Sequence, residues 1–535
     1  MHPTSASVPV PHLEGGEPDL APGSALRAML LDEHERVTRP RLERLWAYYR
    51  NPMTPASVTS SGGRAYRLAQ EAGLPPRLTG RRTAGGPPPD DRGASRREIV
   101  IENDIAWRVQ TMVDFMFGKP VRIESTIGPA GDVPRGVSGG ERGASRRGTI
   151  EAALDRVWEK SGGIALLQDM ALLGHVYGHV DLLLRVDWPA LVTAVAAAPA
   201  LGSAPGALAD AAAEHLRIEL VEPRRGVPVP DPHDYRRLRG YLIRADVPAD
   251  HAEAPTAFDR LVPALRPLFG GAEAPAARRA STVITETITP TSWRVDEDDR
   301  LIREEALPWT DGRLPVVHVQ NIAQPFEHAG ASEVEPLIPL QDELNTRLSD
   351  RASRVTMQSF KMYLAKGLDG FEGAVVGPGQ IWSTDNPDAS VQAFGGDGQS
   401  PSEESHIAEV RQALDKISGV PPLASGVVQA KIGNLSSANA LRITLMGILS
   451  KTARKRVTYG RGIAEMSALI LTALDAAGAL RTTPAERGVR LRWPDPLPED
   501  ERERAFVAEA KARLGVPRAE VLRTLGDEGG DAGVT

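Results

Sequence analysis

The sequence predicts an α+β fold, in which helices lead into an antiparallel sheet and long helices follow in the second half. Two observations lead to this prediction. Apolar residues recur at helical spacing in several long segments, and short strand-like segments bounded by turn residues follow one another in the first half. The chain has 535 residues, 41% of them hydrophobic, so it can bury a sizeable core.

The composition excludes several kinds of site. Lys and Arg number 63 and Asp and Glu 70, which gives a formal net charge of −7. This balance argues against a protein that grips nucleic acid through its phosphates, although not against one that DNA merely passes. The chain has no cysteine, which excludes disulfides, thiol nucleophiles and cysteine-ligated metals. Neither a membrane span nor a targeting segment is expected.

The first half is expected to alternate between helices, strands and polar loops. Residues 1–24 are rich in Pro, Gly and Ser and are expected to be disordered. Helical spacing of apolar residues predicts helices over 25–49, with a kink at Pro40, over 99–117 and over 151–173. Strands are predicted at 121–123, 177–186, 216–220, 227–229, 241–244, 282–289 and 293–295.

Four segments interrupt these elements. Residues 75–97 and 128–148 are expected to be polar loops, and each contains the sequence RGASRR. The repeat is interpreted as compositional drift, with a pair of basic loop tips as the alternative. Residues 189–213 and 248–279 are expected to be insertions rich in Ala and Pro.

The second half begins with a predicted helix over 337–356, introduced by Ser332 and Glu335 at the spacing of a capping box. A second helix is expected from Pro401. Loop residues 418–437 precede a helix from 438, which is expected to be interrupted at Gly460–Gly462 and to resume to 477. Further strands and a final helix pair are predicted at 361–364, 373–376, 380–382, 391–394, 489–493 and 499–524.

Candidate catalytic residues are few. His175, His179 and Asp181 form the best metal candidate. If His175 and His179 lie on a strand, four residues separate them by about 13 Å, which is too far for one metal shell. We therefore expect no catalytic, cofactor or metal site. A metal-dependent hydrolase that uses these three residues is the alternative function.

Several segments, taken in order, carry a resemblance to a known family. Residues 45–53 read LWAYYRNPM, and the helix over 103–117 ends in Gly118-Lys119-Pro120. The later segments that belong to this set are 171–187, 332–350, 363–367, 417–421, 433–441 and 514–517. In this order the chain resembles the portal proteins of tailed double-stranded DNA bacteriophages, in particular the siphophage type.

The resemblance implies a portal fold with an α/β wing, long stem helices, a small strand-containing clip and a C-terminal helical crown. The implied divisions are a wing at 25–331, stem helices at 332–357 and 400–417, a clip at 358–399, a tunnel loop at 418–437, a tunnel helix returning to the wing at 438–480, and a crown with C-terminal tail at 481–535.

The resemblance also implies a function without enzyme activity or cofactors. The chain would form a homo-oligomeric ring, of twelve subunits in the virion, at one vertex of the capsid. Double-stranded DNA would pass through it non-specifically during packaging and ejection. The implied partners are the terminase large subunit, head-completion and connector proteins, and the major capsid and scaffolding proteins. Assembly would take place in the host cytoplasm, without a membrane. Another ring or adaptor protein of the capsid–tail junction is a further alternative.

Candidate site residues follow from the implied divisions. In the tunnel loop Lys431 is the one charged residue, and Asn434, Val428 and Gln429 are expected beside it at the DNA channel. In the clip, the residues expected to dock terminase and connector proteins are Lys366, Asp369, Phe371 and Trp382. The basic triplet Arg454–Arg456 is expected to be structural and to compensate the negative end of a helix.

Overall fold

The computed structural model describes residues 18–51, 68–79, 98–127, 140–197, 207–248, 281–359, 362–366, 387–394, 401–425, 438–497, 501–516 and 521. It divides into two compact units. The first unit comprises Met1–Leu45, Val109–Glu333 and Leu423–Thr535, and the second comprises Trp46–Arg108 and Val334–Pro422. Within the described ranges, no helix combines the length and the apolar character that crossing a bilayer requires.

Helices and strands are both abundant, so the predicted α+β class is confirmed. The α-helices are α1 (Ala25–Glu33), α2 (Arg39–Arg50), α3 (Leu68–Glu71), α4 (Pro76–Thr79), α5 (Asp104–Phe117), α6 (Gly140–Lys160), α7 (Gly163–Tyr177), α8 (Trp188–Ala197), α9 (Ala207–Ala213), α10 (Ile338–Ser359), α11 (Pro401–Ser418), α12 (Ala438–Thr444), α13 (Met446–Ala476) and α14 (Glu501–Arg513). The strands are β1 (Arg122–Ser125), β2 (His179–Val186), β3 (Leu216–Val221), β4 (Gly226–Asp231), β5 (Asp234–Pro248), β6 (Ser281–Ile288), β7 (Ser292–Glu297), β8 (Arg300–Ala306), β9 (Val316–Gln320), β10 (Met362–Lys366), β11 (Ser390–Phe394) and β12 (Val489–Arg492).

The core of the first unit is built on the three-stranded antiparallel sheet β3-β2-β9. Its central strand is almost entirely buried, and Leu182, Leu183 and Leu184 belong to one cluster with Met170 of α7 and Ile470 of α13. A second antiparallel sheet has the order β4-β5-β6-β7-β8. The predicted strands of this region are confirmed, whereas β8 and β9 were not predicted.

The edges of the five-stranded sheet differ from its interior. Strand β4 carries Pro228 and Pro230, which have no backbone N–H to offer to a further strand. Strand β8 carries a register shift opposite Val295 and Asp296, and its side chains are mostly exposed. Such features are typical of edge strands that are protected from further pairing.

Three predictions for the first unit are wrong. The helix predicted over 151–173 is broken between α6 and α7 by Gly162 and Gly163, whose φ values of 122° and 53° suit glycine. The predicted loop 128–148 ends early, because α6 begins at Gly140 and contains the second RGASRR copy. Helix α13 continues through Gly460–Gly462 without interruption. The predicted insertion 189–213 lies between β2 and β3, and helices α8 and α9 occupy its described residues.

The contacts give a physical reason for two of these corrections. Within α6, Arg147 Nε lies 2.7 Å from Glu151 Oε1 one turn later, and Arg146 Nε lies 3.1 Å from Glu486 Oε1. These ion pairs favour a helix over a loop. Gly462 is used for close packing, since a Cβ there would lie 2.3 Å from Val319 Cγ2 of β9.

The N-terminal helices follow the prediction closely. Helix α1 begins at Ala25, where the Ser24 hydroxyl accepts a hydrogen bond from the Arg27 amide at 3.2 Å. The expected irregularity at Pro40 takes the form of a π-helical segment, His34–Thr38, between α1 and α2. A proline near the start of α2 leaves a carbonyl of the preceding turn without its usual donor, which suits such a segment.

The second unit contains two long helices with a strand hairpin between them in the chain. Helices α10 and α11 pack on each other, and Leu344, Ile407 and Leu414 of these helices are buried. Glu343 Oε1 lies 3.0 Å from His406 Nε2. A second ion pair joins Arg354 and Glu403. Strands β10 and β11 form an antiparallel pair in which Met362 lies opposite Phe394. The predicted helices and these two strands are confirmed, while 373–376 and 380–382 lie outside the described residues.

An extended segment, not the predicted helix from Ile99, precedes α5. The amides of Glu98, Val100, Glu102 and Asp104 donate to side-chain oxygens of α10 at 3.0, 2.9, 3.0 and 3.1 Å. The acceptors, which we call the polar stripe, are Ser353, Ser349, Asn345 and Gln341. Two extended residues advance about 6.6 Å and four helical residues about 6 Å, so the two spacings match.

The predicted start of α10 is only partly correct. A 3₁₀ turn, Glu335–Leu337, leads into the helix at Ile338. The capping box expected from Ser332 does not form, because the Ser332 hydroxyl instead donates to the Val176 carbonyl in the first unit at 2.6 Å. The next residue, Glu333, belongs to a group of buried charged side chains in the first unit.

Candidate functional site

Most residues predicted for the DNA channel and the clip fall outside the described part of the chain. These are Lys431, Asn434, Val428 and Gln429 of the loop, and Asp369, Phe371 and Trp382 of the clip. Lys366 is the last residue of β10 and its side chain is exposed. The predicted roles of all eight residues stay predictions.

The three residues of the metal candidate fall into two different clusters. His175 lies in the last turn of α7, and Gly178 ends that helix in a left-handed conformation with φ 92°. His179 and Asp181 lie on the following strand, β2. The two histidines therefore do not share one strand, as the argument from a 13 Å separation had assumed. Among the described residues, no three His, Asp or Glu side chains are grouped so that they could hold a metal ion.

The first cluster, which we call the Glu333 cluster, consists of Glu333, Lys451, Lys455 and His175. The ammonium groups of Lys451 and Lys455 each lie 2.7 Å from one carboxylate oxygen of Glu333. The Glu333 amide donates to the His175 carbonyl at 2.8 Å. Glu333 and Lys455 are buried. Glu333 thus joins α13, through its carboxylate, to the end of α7, through its amide.

Burial and charge set the protonation of the Glu333 cluster. Burial raises the pKa of Glu333, but Lys455 and Lys451 outweigh it and the pKa lies below its ordinary value. Burial lowers the pKa of Lys455 to about 8, opposed by Glu333. Burial and Lys455 lower the pKa of His175 to about 3. The cluster thus holds one carboxylate, two ammonium groups and a neutral imidazole at neutral pH.

The role predicted for the basic triplet Arg454–Arg456 at a helix end is wrong. The triplet lies inside α13 and not at a helix end. Lys455 pairs with Glu333, and Arg456 donates from Nη2 to the Pro494 carbonyl at 2.9 Å. The sequence signal for a shared carboxylate partner was the four-residue spacing of Lys451 and Lys455, which places both on one helix face. Glu333 was not identified because its position in the chain gives no such spacing.

The second cluster, which we call the Asp181 cluster, consists of Asp181, His318, Tyr241 and His179. Asp181 accepts from the Tyr241 hydroxyl at 2.5 Å and lies 2.6 Å from His318 Nδ1. His318 Nε2 lies 2.7 Å from the carbonyl oxygen of His328. Both partners of this imidazole are oxygen atoms, so both of its ring nitrogens are engaged.

Burial and charge act in opposite directions on the carboxylate of the Asp181 cluster. Burial opposes ionisation of Asp181, but His318 outweighs it and lowers the pKa of Asp181 below its ordinary value. Burial lowers the pKa of His179 to about 3, and its Nδ1 is buried without a hydrogen-bond partner. His318 has both nitrogens committed, so it cannot also serve as a general base in this arrangement.

Both clusters adjoin one loop, residues 322–330, which follows β9. Besides the bond from His318, Gln320 Nε2 donates to the carbonyls of Glu327 and His328, each at 2.8 Å. Asn321 Nδ2 donates to the Ala331 carbonyl at 3.1 Å, and Asn321 Oδ1 accepts a hydrogen bond from the Tyr459 hydroxyl at 3.2 Å. Side chains of β9 and α13 therefore fix both ends of the loop.

An open groove of about 980 Å³ lies beside the 322–330 loop. Its walls come from the loop, from β9, from α13 and from the β4–β5 turn region. Charged side chains of both signs line it, namely Arg237, Arg239, Arg313, Arg461, Asp231, Glu327 and Glu465. Burial raises the pKa of Glu465, with Arg461 and Arg313 opposing this effect. The groove has the charge pattern of a recognition surface more than that of a catalytic cleft.

We expect the two buried neutral histidines to make the fold sensitive to acid. Unfolding exposes His175 and His179, whose pKa values then return to about 6.5. Below that pH the unfolded chain binds more protons than the folded chain, so the free energy of unfolding falls as the pH drops toward 3. Each histidine contributes up to about 1.4 kcal/mol per pH unit. Urea unfolding at pH 7, 6 and 5 measures the slope.

Two variants test the origin of this slope. His175→Gln should remove about half of it, whereas His406→Gln, at a side chain that is 46% exposed, should leave it unchanged. An unfolding free energy that stays constant between pH 7 and pH 5 would show that the folded protein protonates its buried imidazoles as readily as the unfolded chain does.

The comparisons with known proteins give one sequence match and several structural likenesses. Residues 291–526 match the family model for phage portal protein, SPP1 Gp6-like. No curated protein matches the sequence. The matched residues make up less than half of the chain.

Three solved structures illustrate the structural likenesses. A chain from the virion of a native gene transfer agent particle is 14% identical, with a TM-score of 0.39, and the match covers 79% of this chain and 89% of that one. A chain from the neck of an empty gene transfer agent particle, computed with C6 symmetry, is 13% identical, with a TM-score of 0.39 and 79% and 90% coverage. A chain from the neck of the native particle, computed with C12 symmetry, is 14% identical, with a TM-score of 0.38 and 79% and 89% coverage.

Proposed function

We propose that this chain, whose residues 291–526 belong to the SPP1 Gp6-like phage portal protein family, is the protomer of a portal ring at one vertex of a capsid. The family match is the observation that carries the proposal. In this function the chain catalyses no reaction and needs no cofactor. Double-stranded DNA passes through the ring during packaging and ejection, and the ring docks the terminase large subunit and later the head-completion and connector proteins.

The architecture of the second unit supports this proposal. Helices α10 and α11 are long, pack on each other and are joined by a segment that contains the β10–β11 hairpin. We assign the two helices to the stem and residues 358–399 to the clip. Lys366, exposed at the end of β10, is the described member of the proposed docking set, to which Asp369, Phe371 and Trp382 also belong.

The charge of the chain also supports a conduit for DNA. A channel through which DNA slides must avoid strong phosphate contacts, since each contact adds affinity. A formal net charge of −7 and a loop 418–437 with Lys431 as its one charged residue fit this requirement. We assign that loop to the channel, with Lys431, Asn434, Val428 and Gln429 closest to DNA.

The hydrolase alternative receives no support from the described residues. The His175 imidazole contacts the Ala171 carbonyl of its own helix through Nδ1, and Asp181 binds both Tyr241 and His318. A metal bound by Asp181 together with the two histidines would have to displace these partners of Asp181. The proposal therefore retains a structural function.

Negative-stain microscopy of the purified protein tests the proposal. We expect rings with a central hole close to the width of DNA. Compact monomers that persist at every concentration would contradict it. A deletion variant tests the channel assignment separately. Deletion of residues 426–433 should leave the rings intact and abolish DNA packaging. Normal packaging by that variant would contradict the loop assignment but not the ring.

A further inference from the structure

One buried guanidinium contacts the end of the helix that leads into loop 418–437. Arg108 lies on α5, and only 2% of its side chain is exposed. Its Nη1 lies 2.7 Å from Asp415 Oδ1 and 3.3 Å from Ser418 Oγ, and it donates to the Val420 carbonyl at 2.8 Å. Arg108 therefore contacts both the last turn of α11 and the first residues beyond it.

The first residues of this loop have a defined conformation. Gly419 has a φ of +70°, which glycine adopts readily, and its amide donates to the Asp415 carbonyl at 2.8 Å. The Val420 amide donates to the Ser418 hydroxyl at 3.1 Å, and the Val420 side chain is fully buried. A 3₁₀ turn over Pro422–Ser425 follows. The chain thus leaves α11 along one course that several bonds fix.

A buried cation is not needed merely to end a helix. A glycine with positive φ after the last turn ends many helices by itself, and Gly419 supplies one here. Taking a guanidinium out of water costs free energy, which is recovered only when its partners are well placed. The carboxylate, hydroxyl and carbonyl around Arg108 meet this condition, and the cation also lies at the negative end of the α11 dipole. The arrangement therefore does more than stop α11, because it attaches Val420 to a side chain of another helix.

We propose that Arg108 is a positioning residue for the proposed channel loop, and that it sets the direction in which residues 418–425 leave α11. This inference rests on the proposed function, because the loop meets DNA only if the chain forms the channel. In a cyclic ring every protomer contributes one such loop. Loops that left α11 in different directions would obstruct the channel unevenly, whereas DNA can slide past loops that all start alike.

The test variant, Arg108→Met, removes the cation and keeps a long side chain at the buried position. The chain has no cysteine, so Ala424→Cys provides a single attachment point for a nitroxide label in the 3₁₀ turn. Arg108→Met should still form rings. Pulsed electron paramagnetic resonance of the labelled rings should give a distribution of label-to-label distances about twice as wide as in rings with Arg108. Without the label, capsids that carry Arg108→Met should package about tenfold less DNA than the wild type.

The matched control is Arg27→Met in the first unit. The Arg27 side chain is similarly buried, and its Nη1 lies 3.0 Å from Oδ2 of the buried Asp296. This variant loses a comparable ion pair, so it separates a loss of stability from a loss of positioning. Its label distances and its packaging should stay within about twofold of the wild type. Equal effects of the two substitutions would give Arg108 a structural role alone and overturn the proposal.

The remaining outcomes also decide the question. Rings of Arg108→Met with wild-type label distances, or with wild-type packaging, would overturn the positioning role while leaving the ring intact. If Arg108→Met forms no rings, hydrogen exchange of the wild-type ring supplies the test. The amides of Gly419 and Val420 should exchange as slowly as those in the middle of α11, and fast exchange there would overturn the proposal. A wild-type protein that stays monomeric would overturn the proposed function itself, and this inference with it.

Discussion

Replacing Glu333 by Gln is expected to lower the free energy of unfolding by about 3 to 5 kcal/mol. The substitution removes the carboxylate that lies 2.7 Å from both ammonium groups and leaves Lys455, of which only 2% of the side chain is exposed, as an uncompensated buried charge. Lys451 is less buried and can turn toward water. Denaturant unfolding of the purified protomer measures the change.

Two further variants determine whether the loss of stability comes from the unpaired buried charge of Lys455. The double variant Glu333→Leu with Lys455→Met replaces the buried pair by apolar side chains and should recover most of the loss, because it removes both desolvated charges together. Glu304→Gln, on the exposed strand β8, should change the free energy by less than about 0.5 kcal/mol. If Glu333→Gln changed the free energy of unfolding as little as this control does, the buried ion pairs would contribute nothing to the stability of the fold.

Replacing Asn345 by Leu is expected to cost about 2 to 4 kcal/mol, because it leaves several polar groups without partners. Asn345 Oδ1 accepts from the Glu102 amide at 3.0 Å and from Gln341 Nε2 at 3.2 Å, and its Nδ2 donates to Gln70. Asn345 and Gln341 are fully buried, so water cannot replace the lost bonds. Denaturant unfolding measures the loss, and hydrogen exchange at the Glu102 amide should become faster.

Arg351→Leu is the matched control for this experiment. It places the same side chain on the same helix at an exposed position, and the expected change is within about 0.5 kcal/mol. Unchanged exchange at the Glu102 amide in Asn345→Leu would mean that the extended segment is held by something other than the polar stripe.

The sequence predicted helices and strands well where the periodic pattern of apolar residues alone determined the local structure. Apart from β8 and β9, the strands of the two larger sheets lie close to their predicted positions, as do helices α10 and α11, since apolar periodicity follows burial directly. The failures occur where tertiary contacts override the local pattern. Residues 99–103 continue the apolar spacing of α5, yet their amides bind the polar stripe. Ser332 has the right spacing for a cap but binds the Val176 carbonyl.

The candidate sites were predicted less well, for related reasons. The spacing of His175 and His179 was noticed, but the two clusters are completed by residues more than 130 positions away in the chain, such as His318 and Glu333. One sequence cannot reveal such pairs. The polar stripe did leave a signal, because Gln341, Asn345 and Ser349 recur every four residues on a helix with an apolar face. That spacing predicts a buried polar seam and a partner that needs hydrogen bonds.

The protected edges of the five-stranded sheet have a consequence for assembly in a crowded cell. Many unassembled copies of one chain bring identical edge strands together, and open edges would let them join in endless ladders. Pro228 and Pro230 on β4, and the bulge and charges on β8, make such ladders unfavourable. Copies that meet can then associate through side-chain contacts instead. The geometry of such contacts can close an assembly after a fixed number of subunits. The edges thereby favour a finite particle over a fibre.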